Sequence, residues 1–216
     1  MTKDKKFNNI YILYCLGLFV VWGIFEIIIM PYIEHYKFSE IIKEVFIKIP
    51  VWFIPAVILQ GHFNKFMFVK KDSIFSFKVR WTEFIIILFI FTLFHIVSSL
   101  VQNGGVSVSN LFGMSDIIIA CSVGISEEMV FRGWLLNSVL NDKNKYTAII
   151  INSLLFLAIH FPVWIRKGLF ITYITSGAFL QIMMLSIIFS LIFIRNRNII
   201  IPAILHAYWD FLCFLI

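Results

Sequence analysis

Three short stretches place ionisable side chains at helical spacing inside long apolar runs. GISEEMVFRGW carries Glu127, Glu128 and Arg132; INSLLFLAIHFP carries Phe156 and His160; NIIIPAILHAYWDF carries His206 and Asp210. Glu128 and Arg132 are four residues apart and share a helical face, which makes them a natural ion pair. Glu127 lies about 100° further round the helix and is not needed for that bridge. His206 and Asp210 share a face in the same way, as do Phe156 and His160. If the three faces converge, they enclose carboxylates, two imidazoles and an aspartate in one cavity.

The chemistry open to that set is hydrolysis. A desolvated glutamate can serve as general base toward a water, with a histidine sharing the proton work. A second histidine can donate to the oxyanion formed when water attacks a carbonyl. No serine or cysteine is placed as a nucleophile, because Ser126 is the immediate neighbour of Glu127 and consecutive residues on a helix do not face each other. Two histidines and a carboxylate (Glu127, His160, His206) also make a legitimate zinc set, although the HExxH helix is absent. Residue types alone leave metal-free and zinc-dependent chemistry both open.

The elements that position these residues must be membrane helices. Of the 216 residues, 61% are hydrophobic and only 14% are charged. Soluble domains rarely exceed about half apolar. Windows of roughly 20 apolar residues, enough to cross about 30 Å of hydrocarbon, recur along the chain. They run apolar on every face rather than alternating, so a β-barrel is disfavoured. The reading is an all-α, polytopic membrane bundle of about seven spans, near 10–30, 45–66, 81–101, 116–140, 146–165, 169–194 and 198–216. Its polar cavity is expected among the C-terminal helices. The second span is the weakest, interrupted by Lys48, Pro50 and His62. The 32–44 stretch, mixing charge and aromatics, reads as interfacial.

The basic side chains suggest an orientation. Lys3, Lys5, Lys6, Lys65, Lys70, Lys71, Lys78, Arg80, Lys143, Lys145, Arg195 and Arg197 fall on one side. Lys37, Lys43, Lys48, Arg166 and Lys167 fall on the other. The bias favours a cytoplasmic N-terminus in a multi-pass protein of the cell membrane. The net charge of +6 needs no nucleic acid to explain it. The N-terminal apolar run is too long for a secretion signal and is expected to remain as a first span.

Several polar residues carry a structural reading. His35, His62 and His95 are isolated on apolar or mixed faces; Glu26 in the first span, without a named partner, is expected to have a structural or pathway role. Cys15, Cys121 and Cys213 are far apart, indicating neither a disulfide framework nor a cysteine metal site.

The ordered trio EExxxR, FxxxH and HxxxD, on successive spans, resembles the CPBP intramembrane proteases, also called Abi or CAAX-protease-and-bacteriocin-processing proteins. MVFRGWL around Arg132 and RNRNIIIPAILHA before His206 are similar to the family's pattern. The resemblance covers roughly residues 114–216, the expected catalytic core, with 1–113 supplying N-terminal helices of a single membrane domain. It implies peptide hydrolysis within a helix-lined cavity. Glu127 would activate water with His160, His206 and Asp210 would stabilise the oxyanion, and Glu128 and Arg132 would support the site. No cofactor is favoured; zinc is the alternative. Position 210 departs from the prenyl proteases, where asparagine is common. An ionised aspartate cannot donate to an oxyanion, so Asp210 would be protonated, orient His206, or ligate a metal.

The function expected is an endopeptidase acting on hydrophobic or membrane-associated peptides, in bacteriocin immunity or peptide maturation. The alternative is a non-catalytic membrane partner that uses the same cavity to bind another membrane protein. A solute or proton transporter fits the intramembrane glutamate and histidine, but neither a repeat nor a broken helix pair is evident.

Overall fold

The computed structural model describes residues 5–216; Lys3, counted above for orientation, lies outside the described residues. Seven long helical segments organise the described chain: α1 (Lys5–Ile33), α2 (39–62), α3 (Trp81–Asn103), α4 (114–139), α5 (Lys145–Arg166), α6 (Ala178–Asn196) and α7 (Ile200–Leu215). Four of them, α1, α3, α5 and α6, are long and apolar enough to cross a membrane by length and composition, and α7 is a shorter apolar helix. The other two, α2 and α4, carry Lys43, Glu44, Lys48, Glu127, Glu128 and Arg132, all buried.

The bundle is apolar outside and polar within, as a lipid solvent requires. Leu13, Val20, Ile85 and Phe89 are exposed on α1 and α3. Glu128 and Arg132, by contrast, are each 0% exposed. One apolar cluster joins Phe7, Trp52, Phe63, Phe131 and Trp134; a second joins Phe91, Phe189, Leu205 and Trp209.

Prolines shape the N-terminal helices without ending them. Wide, π-type turns at Phe25–Ile29, Ile42–Ile47 and Ile49–Phe53 precede Pro31, Pro50 and Pro55. A proline lacks the N–H that would close onto the carbonyl four residues earlier, so the local helix widens. The second span is therefore a continuous helix through Lys48 and Pro50. Among its early residues Lys43 and Glu44 are buried against the rest of the bundle. The expected sixth span, 169–194, divides: Phe170–Thr175 is a separate short helix, and Gly177, at φ 78°, makes the turn into α6.

A glycine makes a close helix approach. A Cβ at Gly124 of α4 would meet the Ala203 carbonyl oxygen at 2.7 Å and the Ala207 nitrogen at 2.9 Å on α7. Small residues let membrane helices pack backbone to backbone. Here that contact sits one turn before Glu127 and Glu128 and beside His206.

Candidate active site

α4 supplies the centre of the site. Its regular helix runs from Met114 to Glu128 and passes directly into a π-type stretch, Met129–Leu136, with no proline behind it. Such turns mark functional positions more often than chance. The expected pair forms across this change: Arg132 Nη1 donates to Glu128 Oε1 at 2.9 Å. Arg132 Nη2 donates to both the carbonyl and the hydroxyl of Ser186 on α6, each at 2.9 Å. Its guanidinium lies 4.7 Å from the Phe156 ring centroid. Arg132 thus ties α4 to α5 and α6.

Glu128 also reaches α7. Its Oε1 lies 3.0 Å from His206 Nδ1. A carboxylate oxygen of an ion-paired glutamate accepts, so Nδ1 is the donor. Phe189 stacks on the His206 ring, 5.0 Å between centroids and 20° between planes. The imidazole is held on one edge and one face, and its other nitrogen points to the two remaining carboxylates. His206 Nε2 lies 3.9 Å from Glu127 Oε2 and 3.7 Å from Asp210 Oδ2. Both separations exceed a direct hydrogen bond.

His160 sits where α5 breaks. The helix that begins at Lys145 ends at Ala158, and a second turn of helix resumes at Phe161 with Pro162 in its first turn. His160 Nδ1 lies 2.7 Å from the Phe156 carbonyl oxygen. A carbonyl only accepts, so Nδ1 carries the proton and Nε2 of the neutral ring is left as a base. His160 and Glu127 line one cavity of about 180 Å³, with Trp22, Lys48, Trp52 and Val163 among its other walls. The three polar faces expected to converge do so: Glu127, Glu128, Arg132, His160, His206 and Asp210 form one neighbourhood.

The first two helices contribute a wall that the sequence reading did not assign to them. Lys48 Nζ donates to Glu127 Oε1 at 2.7 Å and to Glu44 Oε2 at 2.6 Å. Trp52 and Trp22 flank the ammonium, with centroids 4.7 and 5.4 Å away. Ser122 of α4 donates to the Glu44 carbonyl at 2.6 Å, fastening α2 beside the site. Glu127 is therefore not left unpaired by the Glu128–Arg132 bridge: one of its oxygens is held by Lys48 and the other faces His206. Glu44 and Lys48, four apart in an apolar helix, were the sequence signal for this; an interrupted span was the wrong reading of it.

Glu26 likewise has partners. Arg166 Nε lies 3.0 Å from Glu26 Oε2, and Lys43 Nζ lies 3.6 Å from Glu26 Oε1 and 2.6 Å from Glu40. Arg166 also pairs with Glu34. Lys43, Lys48 and Arg166, counted above against the orientation, are ion-paired inside the bundle. Among the described residues, no three His, Cys, Asp or Glu side chains are grouped as a metal-ligand set.

Fold and site together define an integral membrane helix bundle with a carboxylate–imidazole centre buried among its spans. Residues 109–212 match the family model of the Rce1-like type II CAAX prenyl endopeptidases, and this segment contains Glu127, Glu128, Arg132, His160, His206 and Asp210. The match spans just under half of the chain and is consistent with the CPBP/CAAX protease family, to which this segment is similar. No curated relative and no solved structure matches the chain.

Proposed function

We propose that the protein hydrolyses peptide bonds of hydrophobic or membrane-associated peptides with a water activated by Glu127, without a metal. The observation that carries this reading is the position of Glu127 Oε2, which faces His206 Nε2 across 3.9 Å while Lys48 holds the other oxygen. Water bound to Glu127 Oε2 in the adjoining cavity attacks the scissile carbonyl carbon. Its proton passes to Glu127 Oε2, with His160 Nε2 as a second acceptor at the same cavity, and then to the departing amine. In its imidazolium form His206 donates Nδ1–H to Glu128 and offers Nε2–H to the developing oxyanion. Asp210, 3.7 Å from the same nitrogen, orients that ring.

The contact between Glu127 and the Lys48 ammonium argues against a cation ligated at the same oxygen, since two positive centres would compete for it. The burial of Lys43, Lys48 and Arg166 in ion pairs sharpens the charge asymmetry and supports a cytoplasmic N-terminus in the cell membrane. Maturation of a secreted peptide or immunity to a bacteriocin is the setting we infer for such an enzyme.

The test compares the membrane and secreted peptides of cells carrying the wild type with those of cells carrying Glu127→Ala. Accumulation of an uncleaved membrane peptide in the variant is the expected result. A variant that leaves the peptide pattern and the cellular phenotype unchanged would show instead a non-catalytic partner acting through the same cavity.

A further inference from the structure

At the opposite end of the bundle from the Glu26–Arg166 pair, the 68–80 segment meets the turn between α6 and α7. A cavity of about 440 Å³ opens there, lined by Lys70, Lys78, Arg80, Arg195 and Arg197 and by no carboxylate. The nearest acid in contact with this set is Glu83, 3.4 Å from Arg80 Nη1 and 3.2 Å from Arg195 Nη1. Five cations therefore surround the space with one such counter-charge at its edge. Ser76 Oγ, in the same wall, is buried and has no hydrogen-bond partner among the described residues.

The frame of this cavity is fixed by backbone contacts. Arg80 N donates to Asn196 Oδ1 at 3.2 Å, Asn198 Nδ2 donates to the Lys78 carbonyl at 2.9 Å, and Ile199 N donates to the Ile74 carbonyl at 2.9 Å. Arg197 closes the end of α6 at φ 54°, a left-handed conformation that glycine or asparagine adopts with less strain. The chain keeps an arginine there, with its guanidinium 5.1 Å from the Phe68 ring centroid.

The depth of the cavity in the membrane is marked by its neighbours. Trp81 begins α3, and Phe75, Phe77 and Trp81 are exposed beside the basic residues, as aromatic side chains are at a headgroup boundary. Directly along the bundle lies a second, apolar groove of about 360 Å³ between α3 and α6, lined by Ile87, Ile90, Ile188 and Ile192. Arg195 lines both spaces, and Glu83, paired with it, lines the groove. A basic chamber at the interface that shares Arg195 with an apolar groove along the spans matches one kind of molecule: a phosphate on a hydrocarbon chain.

We propose that this chamber and groove bind an anionic glycerophospholipid of the bilayer, its phosphate among Lys78, Arg195 and Arg197 and an acyl chain between α3 and α6. The site is remote from Glu127 and serves to hold the ends of α3, α6 and α7 together at the interface, and so the helices that carry Ser186 and His206.

The test uses the full chain in nanodiscs made from equal parts phosphatidylglycerol and phosphatidylcholine, followed by native mass spectrometry of the released protein. The expected result is a retained phosphatidylglycerol-to-phosphatidylcholine ratio at least about fivefold above that of the bilayer. Lys78→Gln with Arg195→Gln should return retention to the bilayer ratio while helical circular dichroism is unchanged. Ile90→Trp, which fills the groove and leaves every cation in place, should also lower retention. No enrichment in the wild type overturns the proposal, as does equal enrichment in the charge variant. Full displacement of the lipid by soluble glycerol phosphate would also overturn it, because the site would then read a phosphate alone.

Discussion

Lys48 Nζ lies 2.7 Å from Glu127 Oε1, joining an N-terminal helix to the carboxylate at the centre of the C-terminal core. The same ammonium is 2.6 Å from Glu44, and Lys48 is 3% exposed. One cation thus serves two buried carboxylates, and its own burial is compensated by both and by two indole faces. The bridge fixes which oxygen of Glu127 is available to a substrate.

Replacing Lys48 by methionine should be far more damaging than its place in an apolar helix suggests. Removing one partner of a buried pair costs about 3–5 kcal/mol, because the remaining charge is left uncompensated. The variant is expected to unfold at markedly lower temperature in detergent and to lose most peptidase activity. Lys48→Arg, which keeps the charge, should retain stability better than Lys48→Met. A Lys48→Met protein with wild-type unfolding temperature and activity would remove the bridge from the site.

Gly124→Ala tests the backbone contact that sets the distance between α4 and α7. The added methyl would meet backbone atoms of Ala203 and Ala207 at 2.7 and 2.9 Å, and neither can turn aside. Overpacking of this kind costs about 1–3 kcal/mol. Here it also pushes His206 away from Glu128, so activity should fall more than stability does. Gly133→Ala is the control, since its methyl meets the Met129 side chain, with Sδ at 2.8 Å, and that flexible chain can move. Equal effects of the two substitutions on activity would contradict a positioning role for Gly124.

The helices and the polar trio were legible because each rests on local information. Long apolar runs set the spans, and i, i+4 spacing placed Glu128 with Arg132 and His206 beside Asp210. Lys48 was not legible as a partner of Glu127, because 79 residues separate them and no local pattern links the two. Glu26 and Arg166 escaped for the same reason, 140 residues apart in sequence. The continuity of α2 was missed because proline was read as an interruption. In a bundle, neighbouring helices keep the chain helical while the turn before each proline widens.

Asp210 departs from the asparagine expected by resemblance, and its geometry gives that difference a measurable consequence. Its Oδ2 lies 3.7 Å from His206 Nε2, too far for a direct hydrogen bond and near enough to orient the ring electrostatically. An asparagine amide presents the same oxygen and adds a donor for an oxyanion. Asp210→Asn should therefore keep activity within about tenfold of wild type, whereas Asp210→Leu should lose it by about 10²-fold or more. Steady-state hydrolysis of a membrane peptide by the purified variants decides this. An Asp210→Asn protein as inactive as Asp210→Leu would mean that the charge itself is required.

Chelation separates the two hydrolytic chemistries that residue types left open. In the proposed mechanism Glu127 shares an oxygen with the Lys48 ammonium, and the proton work falls on Glu127 and His160. Activity should then survive exhaustive treatment with a strong zinc chelator and dialysis into metal-free buffer, and elemental analysis should find zinc well below one per chain. Unfolding temperature should also be unchanged, because removal of a bound metal would withdraw its binding energy from the folded state. Zinc at about one per chain, with activity and thermal stability both lost on its removal and regained on its return, would move Glu127, His160 and His206 from a proton relay to a ligand set.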